Sequence, residues 1–230
     1  MNKNSKQGAF LRRREKRVLV VGDIHAPFEL DGYLSFLKST AKEWNITDVV
    51  FIGDVIDNHY SSYHESEPQT MGADEELLQA AQHLKPFYKA FPKAYVTIGN
   101  HDRIVARKAK TAGLSQIWLR DYSDVLDTPG WTFVENITID GVLYTHGEGG
   151  TARTRMKKEL KSVVQGHLHT QAYIDFQVGS DYKIFGMQVG CGIDRKAFAM
   201  AYGKDYGKPS ISCGVVLGGH TPNLITANLS

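Results

Sequence analysis

Three apolar runs in the first hundred residues close in the same way, and that closure constrains the chain more than any other feature. Arg17–His25 reads RVLVVGDIH, Asp48–Asp54 reads DVVFIGD and Ala94–Asn100 reads AYVTIGN. Each is a largely β-branched run ended by Gly and then by a side chain with an oxygen to offer. Continuous apolar runs suit strands covered on both faces, as in parallel sheets. The segments between them read as helices. Asp31–Trp44 spaces Leu34, Phe36 and Leu37 in a partly helical way, and Asp74–Ala90 follows with Asp74 as a cap and Pro86 as a break or kink. Arg103–Leu126 reads as helix in pieces. The second half changes character. Trp131–Ile139 and Val142–His146 flank Asp140-Gly141, a hairpin signal, and Tyr173–Gln177 and Lys183–Val189 flank a Gly179-Ser180-Asp181 turn. Thr151–Leu160 reads as a short basic helix, Ser162–His167 and Ile211–Leu217 as strands. The tail from Gly218 has no periodicity, and its His220 is incidental. The expectation is an α/β fold with a parallel sheet from the first half packed on a mixed or antiparallel sheet from the second.

Two further strand ends carry the same type of side chain. His146-Gly147 ends one run and Gly166-His167-Leu168-His169 another. In open α/β sheets, ligands gather beyond the carboxyl ends of the strands. Five such ends would bring Asp23, His25, Asp54, Asn100, His146, His167 and His169 to one cleft, enough donors for two metal ions that share a carboxylate. Glycine beside five of them, Asp23, Asp54, Asn100, His146 and His167, lets the backbone turn sharply. A shell of carboxylate, imidazole and amide oxygen without thiolate suits Mn²⁺ foremost, with Fe²⁺, Zn²⁺ or Ni²⁺ as alternatives. It suits Mg²⁺ poorly, because that ion prefers an octahedron of oxygens.

The ordered set D-x-H, G-D-x-x-D, G-N-H-D, H-G and G-H-x-H, running from Val21 to Thr170, resembles the calcineurin-like metallophosphoesterase superfamily. The resemblance implies a four-layer α/β/β/α sandwich with two mixed sheets. It implies that Asp23, His25 and His169 hold one metal, that Asn100, His146 and His167 hold the other, and that Asp54 bridges them. It also implies that His101 stands off the metals near the leaving group, with Asp102 orienting it and Asp57 fixing the tautomer of a ligand histidine. The activity implied is hydrolysis of phosphate esters by a metal-bridging hydroxide, with His101 protonating the departing oxygen. The alternatives are a nuclease or nucleotide phosphodiesterase, and an inactive binding scaffold. Protein phosphatases of this superfamily read Asp-Arg-Gly where this chain reads Asp57-Asn58-His59. Arg103 and Arg153 (or Arg155) are therefore the candidates to contact the phosphate, together with Asn100. The loop Asn58–Met71, with His59, Tyr60, Tyr63 and His64, is expected to rim the cleft. The basic set Arg153, Arg155, Lys157, Lys158 and Lys161 is a second candidate for phosphate contact.

Charge and composition place these features. Residues 1–17 hold seven bases and one acid, a local +6, whereas the whole chain of 230 residues carries only +2. The body is thus mildly acidic, and residues 1–16 form a basic arm ahead of one domain over 17–230. Such an arm can bind nucleic acid through its charge. No apolar run reaches the ~20 residues of a membrane span. Cys191 and Cys213 form neither a CxxC pair nor a disulfide framework, so the expected compartment is the reducing cytoplasm. The oligomeric state is not readable.

Overall fold

A computed structural model describes residues 15–62, 71–197 and 207–228. The basic arm, except for its last two residues, and the Tyr63–Thr70 part of the expected rim therefore lie outside the described residues.

Two sheets form the centre. The first has the order β11-β10-β1-β2-β3-β4. Its strands β1 (Arg17–Val21), β2 (Asp48–Phe51), β3 (Ala94–Thr97) and β4 (Trp131–Val134) run parallel, and β10 (Ser212–Leu217) and β11 (Thr221–Thr226) extend it antiparallel. The second has the order β5-β6-β7-β9-β8, built from Asn136–Ile139, Val142–Thr145, Val163–Gln165, Lys183–Gln188 and Tyr173–Val178 in that order across the sheet. Here β6, β7 and β9 are parallel, and β5 and β8 are antiparallel edges.

Period-two alternation of side chains explains why β1 and β2 are apolar from their second residue onward. Leu19, Val21, Val49 and Phe51 point to one side, where Tyr33 and Leu37 of α1 (Tyr33–Glu43) and Ala80, Leu84 and Phe87 of α2 (Ala73–Ala90) cover them. Val18, Val20, Val50 and Ile52 point to the other side and meet Tyr144, Val164, Phe185 and Met187 of the second sheet. The far face of that sheet packs Leu143 and Val163 under Met156 of α5 (Ala152–Glu159). Three cores thus separate four layers, α/β/β/α.

Three expectations need correction. The run Trp131–Ile139 is two strands. Trp131–Val134 pairs with β3 in the first sheet, exposed Glu135 carries the chain across, and Asn136–Ile139 pairs with β6 in the second. The Asp140-Gly141 hairpin stands, with both residues at positive φ (47° and 81°), as its turn type requires. The tail beyond Gly218 contributes β11, an edge strand whose Pro222 is tolerated because an edge leaves one side without ladder bonds. α2 runs on through Pro86, and its cap is Gly72 rather than Asp74, which sits in the first turn with Glu75 and Glu76. Among the described residues no helix is long and apolar enough to cross a membrane.

Phe51 is fully buried, its ring centroid 4.4 Å from that of Trp131. Phe51→Ala should lower unfolding free energy by about 3–5 kcal/mol, measured by urea denaturation with an unchanged slope.

Candidate metal centre

The strands that carry the ligand-type residues all point the same way. β1, β2 and β3 are mutually parallel in the first sheet, and β6 and β7 in the second. Their carboxyl ends therefore open on one edge of the sandwich. The loops leaving them hold Asp23 and His25, Asp54, Asn100 and His101, His146, and His167 and His169.

Two groups of donors share Asp54, and a third, His25 with Asp57 and His101, adjoins them. Asp23, His25, Asp54 and His169 lie together, and Asp54, His146 and His167 lie together, with the nearest donor atoms of each group all within 4.8 Å of one another. In the first group Nε2 of His169 is 3.2 Å from Asp23 Oδ2, and Nε2 of His25 is 3.6 Å from Asp54 Oδ2. In the second, Nε2 of His146 is 3.2 Å from Asp54 Oδ2 and 2.9 Å from Asn100 Oδ1. Nε2 of His25 and Nε2 of His169 face each other at 3.1 Å. Two imidazole lone pairs meet at that distance only around a proton or a metal.

The second ring nitrogens of His25 and His146 are tied down, as metal-binding imidazoles require. Nδ1 of His25 donates to Asp57 Oδ1 at 2.6 Å, and Nδ1 of His146 donates to the Ile52 carbonyl at 3.0 Å. Each bond turns Nε2 into the cleft. One carboxylate oxygen, Oδ1 of Asp23, is buried with no hydrogen-bond partner among the described residues, while its Oδ2 accepts from the His167 N–H at 2.9 Å. A buried carboxylate oxygen left bare is expensive unless a cation completes it. The donor set and this orphaned atom both fit a divalent ion.

The backbone is strained to aim these side chains. His25, Asp54 and His167 have φ of 50°, 47° and 69°, each costing on the order of 1 kcal/mol or more. Local hydrogen bonds hold the strain. The Asp54 carbonyl accepts from the N–H groups of both Ile24 and His25. Gly99 and Gly166 are needed for close approach, since a Cβ at either would fall on the carboxylate of Asp54 or of Asp23 respectively.

Asp102 departs from expectation. Its carboxylate does not orient His101. It accepts from the backbone N–H groups of Asp54, Val55, Ile56 and Gly99, and so fixes the loop that presents Asp54. His101 is held instead by Asp57, whose carbonyl accepts from Nδ1 at 2.6 Å and whose carboxylate lies 3.2 Å from the same nitrogen. Asp57 thus serves two histidines, His25 and His101.

The buried charges tune one another. Burial lowers the His25 pKa, helped by the neighbouring His101 and His169 and resisted by Asp57. Burial also opposes charge on His101 and His146, but Asp57 and Asp54 outweigh it for the first and Asp54 for the second, and both are pushed up to about 10. Burial would raise Asp54, yet the adjoining imidazolium groups hold it well below the usual carboxylate range.

The arginines proposed for phosphate contact are engaged elsewhere. Arg103 donates to the Ile98 and Gly99 carbonyls and pairs with Glu135 at 3.0 Å, so it braces the third strand end. Arg153 pairs with Asp175 at 2.6 Å and stacks over Tyr173. Arg155 pairs with Glu159 within its own helix. Of the expected rim, His59 is buried and Tyr60 half-exposed. Both backbone N–H groups are held by Glu76 of α2, at 2.6 and 2.9 Å. Glu76 was missed in the sequence because it reads as a first-turn acid of an amphipathic helix.

A model of the calcineurin-like phosphoesterase family matches residues 16–223. The chain belongs to the calcineurin-like phosphoesterase family. Among solved structures it is similar to Vacuolar Protein Sorting 29 from Cryptosporidium parvum, at 16% identity and a TM-score of 0.43, with 94% of this chain and 98% of that one covered. It is also similar to YfcE, a phosphoesterase from E. coli, at 13% identity and a TM-score of 0.43, covering 93% and 100% of the two chains. A third is Chaetomium thermophilum Vps29, at 12% identity and a TM-score of 0.39, covering 94% and 96%. Among curated proteins none matches the chain.

Metal loading of this calcineurin-like phosphoesterase should release protons. With its pKa near 10, His146 is protonated at neutral pH in the metal-free protein and must lose that proton to bind. Affinity for divalent ions should therefore rise between about pH 6 and pH 9. Titration calorimetry in buffers of different ionisation enthalpy would show protons leaving on binding; equal heats in all buffers would contradict the assignment.

Proposed function

We propose that this protein hydrolyses phosphate esters at a centre of two divalent metal ions. The single observation that supports the reading is the double membership of Asp54, whose carboxylate belongs to two donor groups. Asp23, His25 and His169 would hold one ion with Asp54; Asn100, His146 and His167 would hold the other. Mn²⁺ fits the donor set best, with Fe²⁺, Zn²⁺ and Ni²⁺ behind it. When bound, such a pair supplies Lewis acidity that neutralises a phosphate and acidifies a water.

The protein's own groups do the rest. Asp57 accepts from Nδ1 of His101, which leaves Nε2–H of a charged imidazole as the donor to a departing oxygen. His101 is only partly buried, so a substrate oxygen can reach it. Glu76 keeps the loop behind Asp57 in place through the His59 and Tyr60 N–H groups. The two buried thiols, Cys191 and Cys213, accord with a reducing compartment, the cytoplasm.

The test is the rate on a reporter phosphomonoester and a reporter phosphodiester with and without Mn²⁺. Asp54→Asn should abolish turnover of either ester. His101→Gln should lower kcat by roughly 10²–10⁴ while metal content, measured by elemental analysis, stays at the wild-type level. Wild-type turnover by Asp54→Asn would remove the proposal.

A further inference from the structure

The segment after the His101 loop is the most one-sided in charge within the folded body. From Arg103 to Arg120 it carries Arg103, Arg107, Lys108, Lys110 and Arg120 and no Asp or Glu. It folds as α3 (Ile104–Thr111), a turn, and a 3-10 turn over Gln116–Trp118. Ile117 and Trp118 stand 93% and 86% exposed on that turn. A large aromatic held out in water amid cations is the composition of a surface that stacks bases and meets phosphates. A protein-binding patch would instead be poor in lysine.

A cavity of about 420 Å³ lies against this turn. Val105, Trp118 and Tyr122 line it, while Asn58 and Asp102 form the wall nearest the cleft. Those last two bracket His101: Asn58 donates to its carbonyl at 2.9 Å and Asp102 is its chain neighbour. A flat, mostly apolar group attached to a phosphate at His101 would find this cavity beside it.

We propose that the Arg103–Arg120 face binds single-stranded nucleic acid, one base entering the cavity, the next stacking on Trp118, and the flanking phosphates meeting Lys110 and Arg120. An unpaired strand fits because only unpaired bases offer their faces for stacking. Cleavage of that strand rests on the phosphoesterase reading above; binding does not.

The experiment uses the full chain in EDTA and a labelled oligothymidylate of about ten nucleotides, followed by fluorescence anisotropy. Affinity should fall with rising salt, because each phosphate contact releases counterions. Trp118→Ala should weaken binding on the order of tenfold, and Lys110→Glu should reduce the salt slope by about 0.7. A duplex of the same length should bind less tightly. Thermal melts of both variants show whether they fold, and Lys110→Glu, at an exposed helix end, decides the matter if Trp118→Ala does not. Wild-type affinity in the folded variants would assign any binding to the basic arm and overturn the proposal, as would no binding at low salt. Binding without Mn²⁺-dependent cleavage of oligonucleotide or reporter esters would leave this surface standing and remove the hydrolase reading; hydrolysis of reporters without oligonucleotide binding would do the reverse.

Discussion

The carboxylate of Asp102 holds the place on which the rest of the site depends. It receives four backbone N–H groups, three from consecutive residues of the second strand's exit loop and one from Gly99 on the third. Without such an acceptor those donors would be buried and unpaired, at a cost of about 1–3 kcal/mol each. With it, Asp54 is kept at positive φ, its carbonyl takes two N–H groups from the first strand's exit, and the His101 N–H reaches its carboxylate at 2.8 Å. Three strand exits are therefore locked to one another before any ion binds. Preorganisation of this kind makes a metal site selective in geometry, because the ligands lose little freedom on binding.

The electrostatics follow from crowding. Asp23, Asp54 and Asp57 are almost wholly buried, and His25, His101, His146, His167 and His169 surround them. Metal-free, the cluster balances itself by protonating His101 and His146 while burial and neighbouring cations disfavour charge on His25 and His167. Histidine is the one side chain that can supply either a proton or a lone pair at neutral pH.

Much of this was legible in the sequence, for a physical reason. A strand buried on both faces must be apolar over its buried length, so β1, β2 and β3 announced themselves, and the Gly-polar exit that ends each of them delivers a ligand. What could not be read depended on contacts distant in the chain. Asp102 looked like a partner for its neighbour His101, but its partners are mostly N–H groups nearly fifty residues earlier. Glu135 gave no sign that the run around it changes sheets, because both halves are apolar and β-branched. β11 was lost because Pro222 and Asn223 suppress a strand signal that an edge position forgives. Arg103 and Arg153 looked free to take a phosphate until Glu135 and Asp175 appeared opposite them.

The first sheet is completed late. Val18 to Val21 are covered on one side by β2 and on the other by β10, with Arg17 opposite Leu217. The strand made first thus waits for a neighbour made about two hundred residues afterwards, roughly 10–40 s at common rates of translation. Through that interval one edge of β1 has its backbone groups open and the Val215 side of the helix-facing core is missing. Such an edge is a template for pairing with other chains. Production of this protein is thereby tied to the tempo of synthesis and to whatever shields a nascent strand, and not only to the stability of the finished sandwich.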